Sequence, residues 1–265
     1  MFPVLIFNGS LLLAFFFAGY NFWRKGREEH YDELVLFDGL LLSLFSGFIL
    51  ARAFYIILNF TKFHWSLLAW LDIFTYPGIN YFVLFAGAGF YLYHYALKKK
   101  WDVFEILDFG VLSLAIAQVF IWLGMFWRGV NFGKATNLPW GMVFPGVFDK
   151  HHPLQLYFVV FYLLLFIYLS RVESKYRRFE WYRYGKKTAH TGFLTSMFFI
   201  WVGLFNALMS FWKISTLNFY GVSIDFLLSL AFLVFGLFLL GIRSGRISSK
   251  FLGKRNKLLL EKFKV

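Results

Sequence analysis

Apolar positions run along this chain in long blocks, with neither the alternation of a half-buried strand nor the narrow stripe of a surface helix. Leu40 to Ile49, Phe158 to Leu169 and Phe226 to Leu240 carry no charge and are mostly apolar all round. A helix in hydrocarbon needs that pattern, because lipid surrounds it and its backbone polar groups must be bonded within the segment. Segments long enough to span fall at 3–23, 34–60, 66–97, 103–127, 153–170, 193–212 and 221–242. The third is too long for one straight helix and contains Asp72, Pro77, Gly78 and Asn80. It reads as a short interfacial or re-entrant piece followed by a span over Tyr81–Leu97. The chain is therefore expected to be an all-α, polytopic membrane protein with about seven transmembrane helices. A membrane domain would cover 1–242 and a basic tail 243–265. The first segment lacks a basic leader and a clear small-residue cleavage site, so it is expected to remain in the mature chain.

Composition agrees with that reading. A chain of 265 residues that is 60% hydrophobic and 24% aromatic has too little polar surface for a soluble globule. It has no cysteine, which excludes disulfides, thiolate metal sites and a cysteine nucleophile of its own.

Charge sets orientation. The stretches after the first, third, fifth and seventh segments hold 3, 3, 7 and 8 lysines and arginines, whereas the N-terminus and the other three loops hold 0, 1, 3 and 1. Basic residues gather on the cytoplasmic side, so the N-terminus is expected outside and the C-terminus inside. The net charge of +13 is then a topology signal, not the footprint of nucleic acid. The run from Arg171 through Lys187, with Trp181, Tyr182 and Tyr184 interleaved, reads as a connector attracted to anionic lipid at the cytoplasmic face. The tail from Lys250 to Lys264 reads the same way.

An ionisable group inside a span is costly and faces a cavity or a partner. Arg52 lies 18 residues beyond Leu34, which at the helical rise places it about 27 Å across, in the outer part of the bilayer. It could take a lipid phosphate, snorkel to the interface, or pair with a carboxylate such as Asp72. Asn206 and Lys213 fall toward the same side, as do Arg128 and the stretch His152 to Tyr157. His152 and Gln155 are three apart and share a helix face, with Pro153 suited to the first turn. His151 and His152 make a weak metal site, since Asp149 is the one carboxylate close by.

The stretch His152-Pro153-Leu154-Gln155-Leu156-Tyr157 resembles the His-Pro-x-Gln-Leu-Tyr motif of the bacterial prolipoprotein diacylglyceryl transferases. Leu138 to Pro145 resembles the segment that precedes it, Ala51-Arg52 with Tyr55 resembles the family's Gly-Arg and nearby tyrosine, and Asp108-Phe109 its Asp-Phe. The resemblance implies seven spans in a bacterial inner membrane. It implies transfer of the diacylglyceryl group of phosphatidylglycerol to the lipobox cysteine of a prolipoprotein signal peptide, releasing glycerol phosphate without metal or organic cofactor. Cations that hold the phosphate would stabilise the leaving group. On this analogy Arg52 and His152 are the catalytic candidates, and Tyr55, Arg128, Gln155, Tyr157, Asn206 and Lys213 the substrate-binding ones. The nucleophilic thiol belongs to the substrate.

The chain also departs from the family pattern. Where the family has Gly-Arg-x-Gly-Asn-Phe, this chain reads Ile121-Trp122-Leu123-Gly124-Met125-Phe126. The family's His-Gly-Gly falls on Ala86-Gly87-Ala88, its late arginine on Asn206, the glutamate after that arginine on Ser210, and the glutamate following the His-Pro motif on Phe158. These losses leave two alternatives open: an inactive member that binds phospholipid or a lipoprotein precursor, and an unrelated membrane transporter.

Overall fold

The computed structural model describes residues 2–63, 66–72, 76, 78–176, 191–214, 218, 219 and 221–244. Nine helices form among these: α1 (Phe2–Glu28), α2 (Glu33–Leu58), α3 (Phe60–Phe63), α4 (Leu67–Leu71), α5 (Tyr81–Lys99), α6 (Val103–Arg128), α7 (Leu154–Tyr176), α8 (Phe193–Met209) and α9 (Ile224–Arg243). A two-stranded antiparallel ribbon, β1 (Asn218–Phe219) and β2 (Val222–Ser223), precedes α9.

Each of the seven segments expected from the apolar blocks carries a helix. Five of these, α1, α2, α6, α7 and α9, are long and apolar enough to cross a membrane. α8 is apolar but only 17 residues long. α5 has 19 residues, with tyrosines, His94 and two closing lysines in its second half. The chain is thus a helical, multi-pass membrane protein. The third segment is broken, with α4 and α5 as separate helices and Asp72, Tyr76 and residues 78–80 outside both. α1 outruns its apolar block because Arg24 and Lys25 both bridge to Glu28, at 3.5 and 3.2 Å, which suits a further helical turn. The connector from 177 to 190 and the tail beyond Ser244 lie outside the described residues.

Helix starts follow local chemistry. Asp32 accepts from the Val35 amide at 3.0 Å, Asn80 from Val83 at 3.1 Å, Asp102 from Phe104 and Glu105, and Ser223 from Phe226. Each satisfies amides that the first helical turn leaves unbonded. Lys100 and Gly129 end α5 and α6 in the left-handed conformation, with φ of 60° and 70°.

Contacts divide the chain into two units, Met1–Phe166 with Trp212–Ile214, and Ile167–Phe211 with Ser215–Val265. In the first, α1 runs antiparallel to α6: Phe17 stacks on Phe120 with centroids 4.9 Å apart, and Phe22 meets Phe109 edge-on. α2 and α5 are antiparallel neighbours, joined where the Asn80 amide donates to the Ala51 carbonyl at 3.3 Å. A buried cluster of Phe22, Leu36, Leu40, Leu92, Ala96, Val103, Ile106 and Phe109 ties these four helices together. This up-down arrangement brings the end of α2, the start of α5, the end of α6 and the start of α7 to one end of the unit. In the second unit α8 packs on α9 at backbone contact, so that a Cβ added at Gly203 would stand 2.5 Å from the Leu233 nitrogen. Close approach at small residues is how helices associate where lipid offers no hydrophobic drive.

Candidate functional site at one end of the first unit

The loop between α6 and α7 builds a rigid platform from short backbone exchanges. The Gly133 amide donates to the His152 carbonyl and the His152 amide to the Lys134 carbonyl, while Lys134 donates to Trp212 at 2.7 Å. Met142 and His151 exchange both main-chain bonds. Beneath them Phe132 stacks on buried Phe144 with centroids 5.0 Å apart, and the His151 ring lies against Phe132 and donates through Nδ1 to the Gly133 carbonyl at 2.7 Å. Gly133 and Lys213 pair as an antiparallel bridge, so Lys213 joins this platform through its backbone.

On the platform the His-Pro-x-Gln-Leu-Tyr residues converge. His152 is 8% exposed and its Nδ1 stands 3.3 Å from the Tyr157 hydroxyl. The Trp140 indole N–H donates to that same hydroxyl at 2.8 Å. Where the hydroxyl gives its proton to Nδ1, neutral His152 carries its own proton on Nε2, a donor suited to an anionic oxygen. Gln155 is fully buried, and its Nε2 donates to the Val130 carbonyl at 2.6 Å while Oε1 has no partner among the described residues. Arg128, at the end of α6, is exposed and lies over the Phe7 ring at 5.0 Å.

Arg52 and Tyr55 form a second cluster at this end, on α2. The Arg52 guanidinium is 6% exposed, and all five of its N–H groups point at main-chain carbonyls. Nε donates to Trp70 at 3.1 Å, Nη1 to Tyr76 at 2.7 Å and Gly78 at 3.0 Å, and Nη2 to Ala69 at 3.3 Å and Asp72 at 3.1 Å. The Phe63 ring lies under it at 5.0 Å. Asp72, weighed from sequence as a carboxylate partner, meets Arg52 through its main-chain oxygen. Gly78, with φ of 150°, rests on the Tyr55 ring, where an added Cβ would stand 2.2 Å from Cζ.

Among the sequence candidates, His152, Gln155, Tyr157 and the Lys213 backbone are thus brought together, with Arg128 two residues before the Val130 carbonyl. Asn206 lies in the second unit and donates to Val202 of its own helix at 2.9 Å. Sequence reasoning left out Trp140 as a site residue, although it stands within the Leu138–Pro145 segment already singled out. Ala86, at the place of the family's histidine, is exposed on α5. No group of three or more His, Asp or Glu side chains among the described residues could hold a metal ion.

These features define a helical membrane protein whose polar groups gather on one loop platform at a bundle end. The family model described as prolipoprotein diacylglyceryl transferase matches residues 2–242. The chain belongs to that family. It is 28% identical over 201 residues to the phosphatidylglycerol-prolipoprotein diacylglyceryl transferase of Clostridium tetani, covering 71% of this chain and 72% of the other. It is 27% identical to a second such enzyme of Clostridium perfringens, covering 68% and 67%, and 25% identical to that of Finegoldia magna, covering 82% of each.

Proposed function

We propose that the chain transfers the diacylglyceryl group of phosphatidylglycerol to the lipobox cysteine of a prolipoprotein signal peptide. The observation that carries this reading is the His152-Tyr157-Trp140 chain of hydrogen bonds, which keeps the family's His-Pro-x-Gln-Leu-Tyr residues in working contact on one platform. In the transfer, the substrate thiol attacks the carbon of the diacylated glycerol that carries the phosphate ester. The S–C bond forms as the C–O bond breaks, glycerol phosphate leaves, and the thiol proton passes to solvent. His152 Nε2–H, Arg128 and Lys213 supply donors and charge toward the phosphate, where negative charge gathers as the bond breaks. Gln155 and Tyr157 hold the platform, and Tyr55 lines its neighbouring cluster.

In this reading seven helices cross a bacterial inner membrane with the N-terminus outside and the platform on the outer face. The basic connector and tail lie on anionic lipid at the cytoplasmic face. The replacement of charged family positions by Trp122, Phe158 and Ala86 favours a second reading, a lipid-binding member without activity.

Purified chain in phosphatidylglycerol vesicles, given a lipobox peptide, decides between them. A mass gain of one diacylglyceryl group with release of glycerol phosphate supports transfer. No gain, where an ordinary family member works, sinks it, and retained phosphatidylglycerol binding in that preparation supports the binding protein.

A further inference from the structure

The sequence offers Arg52 as a charge for phosphate, but its geometry gives the side chain another use. A guanidinium has five N–H donors in a fixed plane and no acceptor. At Arg52 these five meet five carbonyls, those of Ala69, Trp70, Asp72, Tyr76 and Gly78, while one face is covered by Phe63. An anion could bond this side chain only by displacing one of those carbonyls, since all five donors are already taken.

What these bonds hold is the start of α5. Gly78 is fixed by Arg52 on one side and by the Tyr55 ring on the other. Two residues on, Asn80 donates its amide to the Ala51 carbonyl and caps the helix through Val83. Tyr81 follows, its hydroxyl in contact with that of Tyr162, which is wholly buried on α7. Tyr162 stacks on Phe158 one turn nearer the helix start, and Gln155 lies one turn beyond that. A continuous line of contacts therefore runs from Arg52 to the part of α7 that begins with the His152 platform.

We propose that Arg52 is a positioning residue, which spends its whole guanidinium on main-chain carbonyls to set the start of α5 and, through Tyr81 and Tyr162, the start of α7. This rests on the transferase reading above. It predicts that losing Arg52 slows turnover without weakening recognition of the anionic lipid.

The test uses the full chain in phosphatidylglycerol vesicles, as wild type, Arg52→Gln and Arg52→Lys, with transfer kinetics and hydrogen exchange at the Asp72 and Asn80 amides. For Arg52→Gln, kcat should fall roughly 10- to 100-fold while KM for phosphatidylglycerol stays within about 3-fold, the pattern of a lost alignment as opposed to a lost ground-state contact. Arg52→Lys, with three donors and the same charge, should fall between the two. Exchange at both amides should quicken at least about 10-fold in Arg52→Gln, as local opening becomes easier. In wild type, added glycerol phosphate should leave that exchange unchanged.

A large rise in KM with kcat kept, or quickened wild-type exchange on adding glycerol phosphate, would show the guanidinium passing to phosphate and overturn the proposal. Quickened exchange in the variants with unaltered kcat and KM would reduce Arg52 to a fold-stabilising residue and overturn it as well. If wild type transfers nothing, the transferase reading fails and the positioning role falls with it. The exchange measurements need no activity, so they still tell that outcome from failure of the carbonyl clamp. Should Arg52→Gln not fold, Arg52→Lys and the wild-type exchange decide.

Discussion

Trp122 on α6 and Phe158 on α7 lie face to face, with ring centroids 4.0 Å apart and planes 5° from parallel. In the family resemblance these are the places of the signature arginine and of the glutamate after the His-Pro motif. Two departures that look independent along the chain are therefore one contact, an aromatic pair in place of two ionisable positions. Trp122→Arg alone would put a cation against a phenyl ring in a buried wall, and Phe158→Glu alone would put a carboxylate against the indole, each costly without its partner. The double substitution should recover much of either loss. A double-mutant cycle by unfolding in detergent should give a coupling of roughly 1 to 3 kcal/mol, and simple additivity would count against the pairing.

The Tyr157 hydroxyl accepts from Trp140 and bonds to Nδ1 of His152. Tyr157→Phe removes the middle of this chain and frees the His152 ring to take the other tautomer. If His152 acts through Nε2–H, the transfer rate should fall about 5- to 100-fold, the range of a lost buried hydrogen bond expressed in the transition state. Trp140→Phe should cost less, since Trp140 is half-exposed and the tyrosine keeps its own bond to His152. Equal rates for wild type and Tyr157→Phe would remove the tyrosine from the mechanism.

Orientation is open to a direct measurement. A reporter fused after Val265, or inserted near Gly185, should read cytoplasm, and one near Lys134 the exterior. An exterior reading at the C-terminus would invert the sides and place the His152 platform in the cytoplasm, where a secreted precursor is not modified.

The helices were legible because apolar runs state their own surroundings, and the break before α5 because proline and glycine disfavour a helix interior and Asn80 is a good N-cap. The spacing of His152 and Gln155 suggested a shared helix face, but α7 begins at Leu154, so His152 stands in the loop before it and bonds Tyr157 while Gln155 bonds the Val130 carbonyl. The partner of Arg52 was not legible. A carboxylate or phosphate is the ordinary companion of a buried cation, but main-chain carbonyls leave no mark in a sequence. Nor could 39 phenylalanines reveal which ring meets which, so Phe158 read simply as a lost glutamate. Lys25 and Glu173, placed in loops by hydropathy, are buried because α1 and α7 run on past their apolar blocks.

The same substitution should act in opposite senses on two helices. At Gly203 an added Cβ would stand 2.5 Å from the Leu233 nitrogen and 2.7 Å from the Ser229 carbonyl, both backbone atoms of α9 that cannot rotate away. Gly203→Ala should therefore push α8 from α9 and cost about 1 to 3 kcal/mol, as overpacking does elsewhere. At Gly89 on α5 nothing lies within 4 Å of the added atom. There alanine meets open space, and the gain in helix propensity should stabilise by about 0.5 to 1 kcal/mol. Unfolding of both variants in the same detergent gives the comparison. If Gly203→Ala is as stable as wild type, α8 and α9 do not meet at backbone contact, and the packing of the second unit would have to be rebuilt around larger side chains.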